Sequence, residues 1–174
     1  NYSTKKKTWY RMTYNSLQNY HYKKPKYPRK HLIDWPTRDW ASTNKNTIIA
    51  LPNSYQIQLL DTTREDWIKD TKEKLLDETN VIWRSKPNIK PKNRFDNFIT
   101  QLKDAKKVIT HVSMAAIEAA LYDIPFDCDV KCAAHILNSV SKDEWLDHLA
   151  WSQYHIDEFL DGSAWELFKY YQLN

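Results

Sequence analysis

The chain has 174 residues, enough to bury a real core in one ordinary domain and a squeeze for two. Its one glycine, Gly162, excludes a Walker loop and a G-x-G-x-x-G dinucleotide turn, which need several glycines to bring backbone close to phosphate, and no run reaches the roughly 18 uncharged apolar residues of a membrane span. The net charge of +4 is local in origin, because residues 1–33 hold nine bases and no acid while the rest carries 17 basic and 22 acidic residues, a net −5.

Residues 1–46 read as a basic aromatic arm, or as the remnant of a lobe missing from the chain, with a short strand around Thr8–Tyr14 and helix barred by Pro25, Pro28 and Pro36. The opening at Asn1 rather than methionine leaves room for an upstream segment. From Thr47 the character changes. NTIIALP is a buried strand ended by proline, and TREDWIKDTKEKLLDET follows as a helix with Trp67, Ile68, Leu75 and Leu76 on one face and acids behind Thr63. VIWR is a second strand, and SKPNIKPK is a loop fixed by Pro87 and Pro91. RFDNFITQLKDA is a helix, with Phe95, Phe98, Ile99 and Leu102 at helical spacing.

KVITHV, SMAAIEAALYD and PFDCDV then give strand, helix and short strand. This alternation predicts an α/β domain, a parallel sheet covered by helices, over 47–140. Residues 141–174 are read as helical only, in KDEWLDHLAWSQY, HIDEFLDG and SAWELFKYYQ, packing on that lobe. No internal repeat is visible.

Two cysteines, Cys128 and Cys132, suggest a reducing compartment, and the absence of a secretory signal agrees with a cytoplasmic location, in a host cytoplasm or a virion if the protein is viral. With His135 they could hold a metal, but no fourth ligand stands at a recognised spacing, so the reading favours buried small side chains and no metal.

In a parallel sheet, ligands sit beyond the carboxyl ends of the strands. Ser113 stands there as an N-cap, so Met114, Ala115 and Ala116 would offer amides to an anion, with small alanines allowing close approach. Glu118, one turn into an otherwise uncharged helix, could accept from the vicinal hydroxyls of a ribose. Arg84 and Lys86 follow the second strand at the same edge, and His111 ends the third. For each, the plainer alternative is an ordinary capped helix or a solvated charge.

The stretch Glu118-Ala119-x-x-x-Asp123-x-Pro125 resembles the E-A-x-x-x-G-x-P signature in the nucleotide-binding lobe of GT-B glycosyltransferases, and VITHVSMAAIEAALYDIPF resembles capsule-polysaccharide, Kdo-transferase-type members. The likeness is strongest over about residues 80–126. The tail SQYHIDEFLDGSAW is similar to the end of small phage-encoded proteins of this type. The resemblance implies a Rossmann-like lobe of the GT-B C-terminal kind. It also implies a nucleotide-sugar as substrate rather than a tightly bound cofactor, phosphate contacts at Ser113 to Ala115 and from Arg84 and Lys86, and sugar hydroxyls at Glu118. Asp123 replaces the signature's glycine, at a position that needs a residue tolerant of the left-handed conformation. The acceptor lobe of such enzymes has no visible counterpart, so no catalytic base is assigned.

The arm interleaves tyrosine and tryptophan with its bases, a combination that suits single-stranded nucleic acid, and Arg11, Lys23, Lys24 and Lys26 are its candidate contacts to nucleic acid or acceptor. Two competitors stand beside that reading. One is a packed strand and solvated linker. The other is internal pairing with the C-terminal part, where 11 acids face 3 bases from residue 113 onward. The alternative to a glycosyltransferase is thus a non-catalytic structural or nucleic-acid-binding protein, a viral one in one version of this reading, that retains a transferase-like lobe.

Overall fold

The computed structural model describes residues 8–41, 43–53, 56–57, 62–85 and 94–173. Its contacts form two compact units, residues 37–129 and residues 1–36 with 130–174.

Unit 37–129 is built on four parallel strands. These are β2 (Asn46–Ala50), β3 (Val81–Arg84), β4 (Ala105–Thr110) and β5 (Phe126–Asp127), in the order β3-β2-β4-β5. The fold is mixed α/β and consistent with a Rossmann-like arrangement. Strand β2 is central, and Thr47 to Ala50 are all buried, which is what an uninterrupted apolar run predicts for a strand covered on both faces.

Helix α1 (Arg64–Glu73) joins β2 to β3, α2 (Arg94–Lys103) joins β3 to β4, and α3 (Met114–Leu121) joins β4 to β5. The step from β2 to β3 runs one way across the sheet and the next runs back past β2. Right-handed crossovers therefore put α1 on one face and α2 and α3 on the other. On the second face Ile48, Ala50 and Val108 meet Phe98 and Leu102 of α2 and Ala115, Ala119 and Tyr122 at α3. Complete burial of Leu102 contributes about 2 kcal/mol from transfer alone.

Local signals set the helix ends. Thr63 caps α1, accepting from the Asp66 amide at 3.0 Å. That helix stops at Glu73 rather than running on toward Thr79, and Leu76 beyond it is 83% exposed, so its apolar spacing reflects no buried face. Helix α2 ends at Lys103, and Ala105 opens β4 instead of closing the helix. With one glycine available, at φ 84°, asparagine and aspartate supply the other left-handed positions among the described residues: Asn15, Asn44, Asn80 and Asp123, the last at φ 55° just past α3.

The other unit joins the two ends of the chain. Strand β1 (Trp9–Arg11) pairs antiparallel with β6 (Gln153–His155), followed by α5 (Ile156–Leu160) and α6 (Ser163–Phe168), and α4 (Lys142–Ala150) precedes β6. The helix expected through Tyr154 ends at Ala150, because Gln153 to His155 take their hydrogen-bond partners from β1, some 140 residues away in sequence. A capping box starts α4, with Ser141 Oγ accepting from the Glu144 amide at 3.2 Å and the Glu144 carboxylate accepting from the Ser141 amide. Trp145, His148, Trp151 and Tyr154 are fully buried. The 1–46, 47–140 and 141–174 segments of the sequence reading therefore differ from the grouping seen here, since β-pairing and ion pairs tie residues 8–36 to the C-terminal third.

Arg29 is the centre of those ties. Its Nη2 donates to Glu158 at 2.9 and 3.1 Å and to the Gln153 carbonyl at 3.3 Å, and its guanidinium lies 5.3 Å from the Trp151 ring centroid. Lys30 pairs with Asp143, and both the Arg29 and Lys30 amides donate to Asp147 Oδ1 at 2.8 Å. Part of the arm's positive charge is thus neutralised inside the protein. Among the described residues no helix is long and apolar enough to cross a membrane.

Candidate functional site

The strand order places the topological switch point of unit 37–129 between the carboxyl ends of β2 and β4, where the chain leaves in opposite directions and a crevice is expected. Register lines up Arg84, Ala50 and Thr110 at that edge, so the side chains of Arg84 and Thr110 flank Ala50 on one face. Thr110 Oγ1 donates to the Ala50 carbonyl at 2.9 Å, tying the two strand ends together. The Leu51 amide donates to the Arg84 carbonyl at 2.9 Å and does the same for β3.

Immediately beyond, Ser113 is in extended conformation and its Oγ accepts from the Ala115 amide at 3.2 Å, while the Ala116 amide donates to the Ser113 carbonyl at 3.3 Å. Two of the three amides assigned to an anion by sequence are therefore engaged within the first turn. Ala115 and Ala116 are buried, and Ser113 and Met114 are half-buried.

Arg84 is half-buried with its guanidinium 4.6 Å from the Phe98 ring centroid, so α2 packs against its head group while the strand fixes its root. His111 is buried, and its ring meets Trp67 of α1 at 6.3 Å between centroids. Glu118 is half-buried on α3. Burial pushes the Tyr122 hydroxyl up, and the charges of Glu118 and then Asp39 add to that rise. Lys86 lies outside the described residues, with Pro87 and Pro91 of its loop, and so do Lys5, Lys6 and Lys7.

Three contributors escaped sequence reading. Thr110 ties the strand ends, Trp67 backs His111, and Gln56 Nε2 donates to the Val112 carbonyl. Gln56 is oriented by a reciprocal pair with Asn53, whose amide donates to Gln56 Oε1 at 3.0 Å while Asn53 Oδ1 accepts from the Gln56 amide at 2.8 Å. The Asn53-x-x-Gln56 spacing after Pro52 is the sequence signal that could have revealed this, as a helix-start pair.

In the other unit, Lys23, Lys24 and Lys26 are exposed, and Arg11 is exposed on β1. Cys132 is buried with its thiol 3.4 Å from Gln18 Oε1, and Cys128 is half-buried. Among the described residues no group of three His, Cys, Asp or Glu side chains could hold a metal ion. No protein-family model matches the sequence, and no curated protein matches it either.

Proposed function

We propose that this chain binds a nucleotide-sugar at the carboxyl edge of the four-stranded sheet, as the donor-binding part of a glycosyltransferase of the GT-B type. The observation that carries the reading is the switch point itself, where the carboxyl ends of β2 and β4 lie side by side and the Ser113-capped start of α3 opens onto them. Asp123 strengthens it. The signature places a glycine there, and Asp123 adopts the left-handed conformation that such a glycine would supply.

In this reading the Ser113 hydroxyl and the dipole of α3 face the diphosphate, with Arg84 and Lys86 as countercharge. His111 sits at the strand exit beside the phosphate, and Glu118 accepts from the ribose hydroxyls. Transfer would break the bond between the sugar anomeric carbon and the diphosphate oxygen and form one to an acceptor hydroxyl, whose proton passes to a base. Charge growing on the departing diphosphate is what the helix start and Arg84 would stabilise.

Calorimetry of the wild type and of Glu118→Gln against UDP, CMP, GDP and ADP tests the assignment. The substitution should weaken nucleotide binding by about 1–3 kcal/mol, the loss of a charged hydrogen bond, with little change in melting temperature. A wild type that binds none of the four at millimolar concentration would remove the donor site, and a Glu118→Gln protein that melts lower but binds unchanged would make Glu118 structural.

A further inference from the structure

Residues 18–30 have no strand and only one short 3-10 turn, Lys30–Leu32, at their end, yet their backbone is held at closely spaced points. His148 Nε2 meets the Asn19 carbonyl at 2.9 Å, the Tyr171 hydroxyl donates to the Lys23 carbonyl, and Trp151 Nε1 donates to the Tyr27 carbonyl at 3.2 Å. The anchors recur every four residues and come from three buried side chains. Gln18 Oε1 accepts from the Ala133 amide at 2.9 Å at one end, and Asp147 takes the Arg29 and Lys30 amides at the other.

Between these anchors Tyr22 rests on the His148 ring at 5.5 Å and Tyr27 on the Trp151 ring at 5.0 Å between centroids, each leaving part of its surface to solvent. Lys23, Lys24 and Lys26 are exposed, and Tyr22 and Tyr27 are 36% and 47% exposed. Glu144 accepts from Ser141 in its capping box and also feels the charge of Lys24, while Asp147 accepts from the two amides. Among the described residues no carboxylate pairs with Lys23, Lys24 or Lys26 within 4.0 Å, in contrast to Arg29 and Lys30. A coil pinned by buried donors, carrying three exposed lysines that form no ion pair among the described residues and lie between two partly exposed tyrosine rings, is suited to presenting those side chains.

We infer that residues 22–27 form a binding surface for single-stranded nucleic acid, with Lys23, Lys24 and Lys26 on successive phosphates and Tyr22 and Tyr27 stacking on bases. Pro25 restricts the backbone between the lysines and keeps their spacing. Phosphate contact supplies salt-sensitive affinity, and a ring face accepts any base, so the surface reads chain rather than sequence. It stands on the anchored coil alone and is independent of the nucleotide-sugar reading.

Fluorescence anisotropy of the full chain with a labelled oligothymidylate of 20 nucleotides, from 50 to 300 mM salt, tests this. Replacing Lys23, Lys24 and Lys26 together by glutamine should weaken binding at least about tenfold at low salt and reduce the slope of log K against log salt by about 2, at roughly 0.7 per lost phosphate contact. A charge-matched triple, Lys45, Lys69 and Lys74 to glutamine, should stay within about twofold of wild type. Tyr22→Leu with Tyr27→Leu should weaken binding about tenfold with the slope retained. Absence of wild-type binding, equal loss in the two lysine triples, or tyrosine variants that bind like wild type would each overturn the assignment, the last by reducing the surface to a generic polyanion site.

Discussion

Arg29 offers the sharpest test of how the two ends of the chain are held. Its side chain is 6% exposed and that of Glu158 20%, so Arg29→Met removes one partner of a largely dehydrated ion pair. Breaking such a pair destabilises by about 3–5 kcal/mol. Lost contact with the Trp151 and Tyr154 faces, at 5.3 and 5.6 Å, adds about 1 kcal/mol. Two features oppose this. Glu158 keeps its bond from the His155 amide at 2.7 Å, and Arg29 Nε is buried without a partner among the described residues, so its removal relieves about 1 kcal/mol. The net expectation is about 3 kcal/mol, or a melting temperature lower by about 6–12 °C for a chain of this size. Urea unfolding followed by tryptophan fluorescence, run on Arg29→Met, Glu158→Gln and the double variant, should give a coupling of about 2 kcal/mol. A drop below about 0.5 kcal/mol for Arg29→Met, or strictly additive single effects, would refute the claim that this pair closes the unit.

His148 gives a pH test. Burial pushes its pKa below the ordinary 6.5, with opposing contributions from backbone contacts at Asn19 and Lys23. The unfolded chain then binds more protons than the folded one, so stability is complete above about pH 6.5 and declines as pH falls through the unfolded value toward the folded one. His148→Gln should flatten the difference in melting temperature between pH 7.5 and 5.5, and parallel curves would show that another group controls it. Ser141→Ala should cost about 1 kcal/mol by removing the cap of α4. The same change should raise the Glu144 carboxyl, now held below the usual range first by the Ser141 hydroxyl, and carboxyl titration by NMR measures it.

The strands and helices that frame the proposed site were legible because their signals are local. NTIIA is an apolar run bounded by polar residues, Ser113 is an N-cap before alanines, and Asp123 stands where a helix must turn left-handed. Sequence reading failed where the partner is distant. Gln153-Tyr154-His155 continues a helical pattern, and only its pairing with Trp9–Arg11 makes it a strand. The fate of the basic arm was hidden for the same reason: nothing local marks Arg29 as the buried base and Lys26 as the exposed one, since Glu158 and Asp143 select their partners through the fold. At the sheet edge Ser113 was identifiable as a cap. That its hydroxyl occupies the Ala115 amide is a matter of geometry, to which spacing is blind.

The scarcity of glycine ties these observations into one constraint. A glycine-rich loop binds phosphate with a nest of backbone amides. Here the first turn of α3 has already committed the Ala115 and Ala116 amides to Ser113, so the helix dipole offers only a weak, directional component. In the proposed donor site most of the attraction for a diphosphate would then come from side-chain charge, and Arg84, rooted in β3 with its guanidinium over Phe98, is a cation placed at that edge. The outer coil of the other unit follows the same logic, with backbone carbonyls satisfied from within by His148, Tyr171 and Trp151 and lysine side chains turned outward. In both proposed sites the backbone is committed to holding the structure, so the proposed recognition of an anion rests on long cationic side chains, whose contribution is screened by salt.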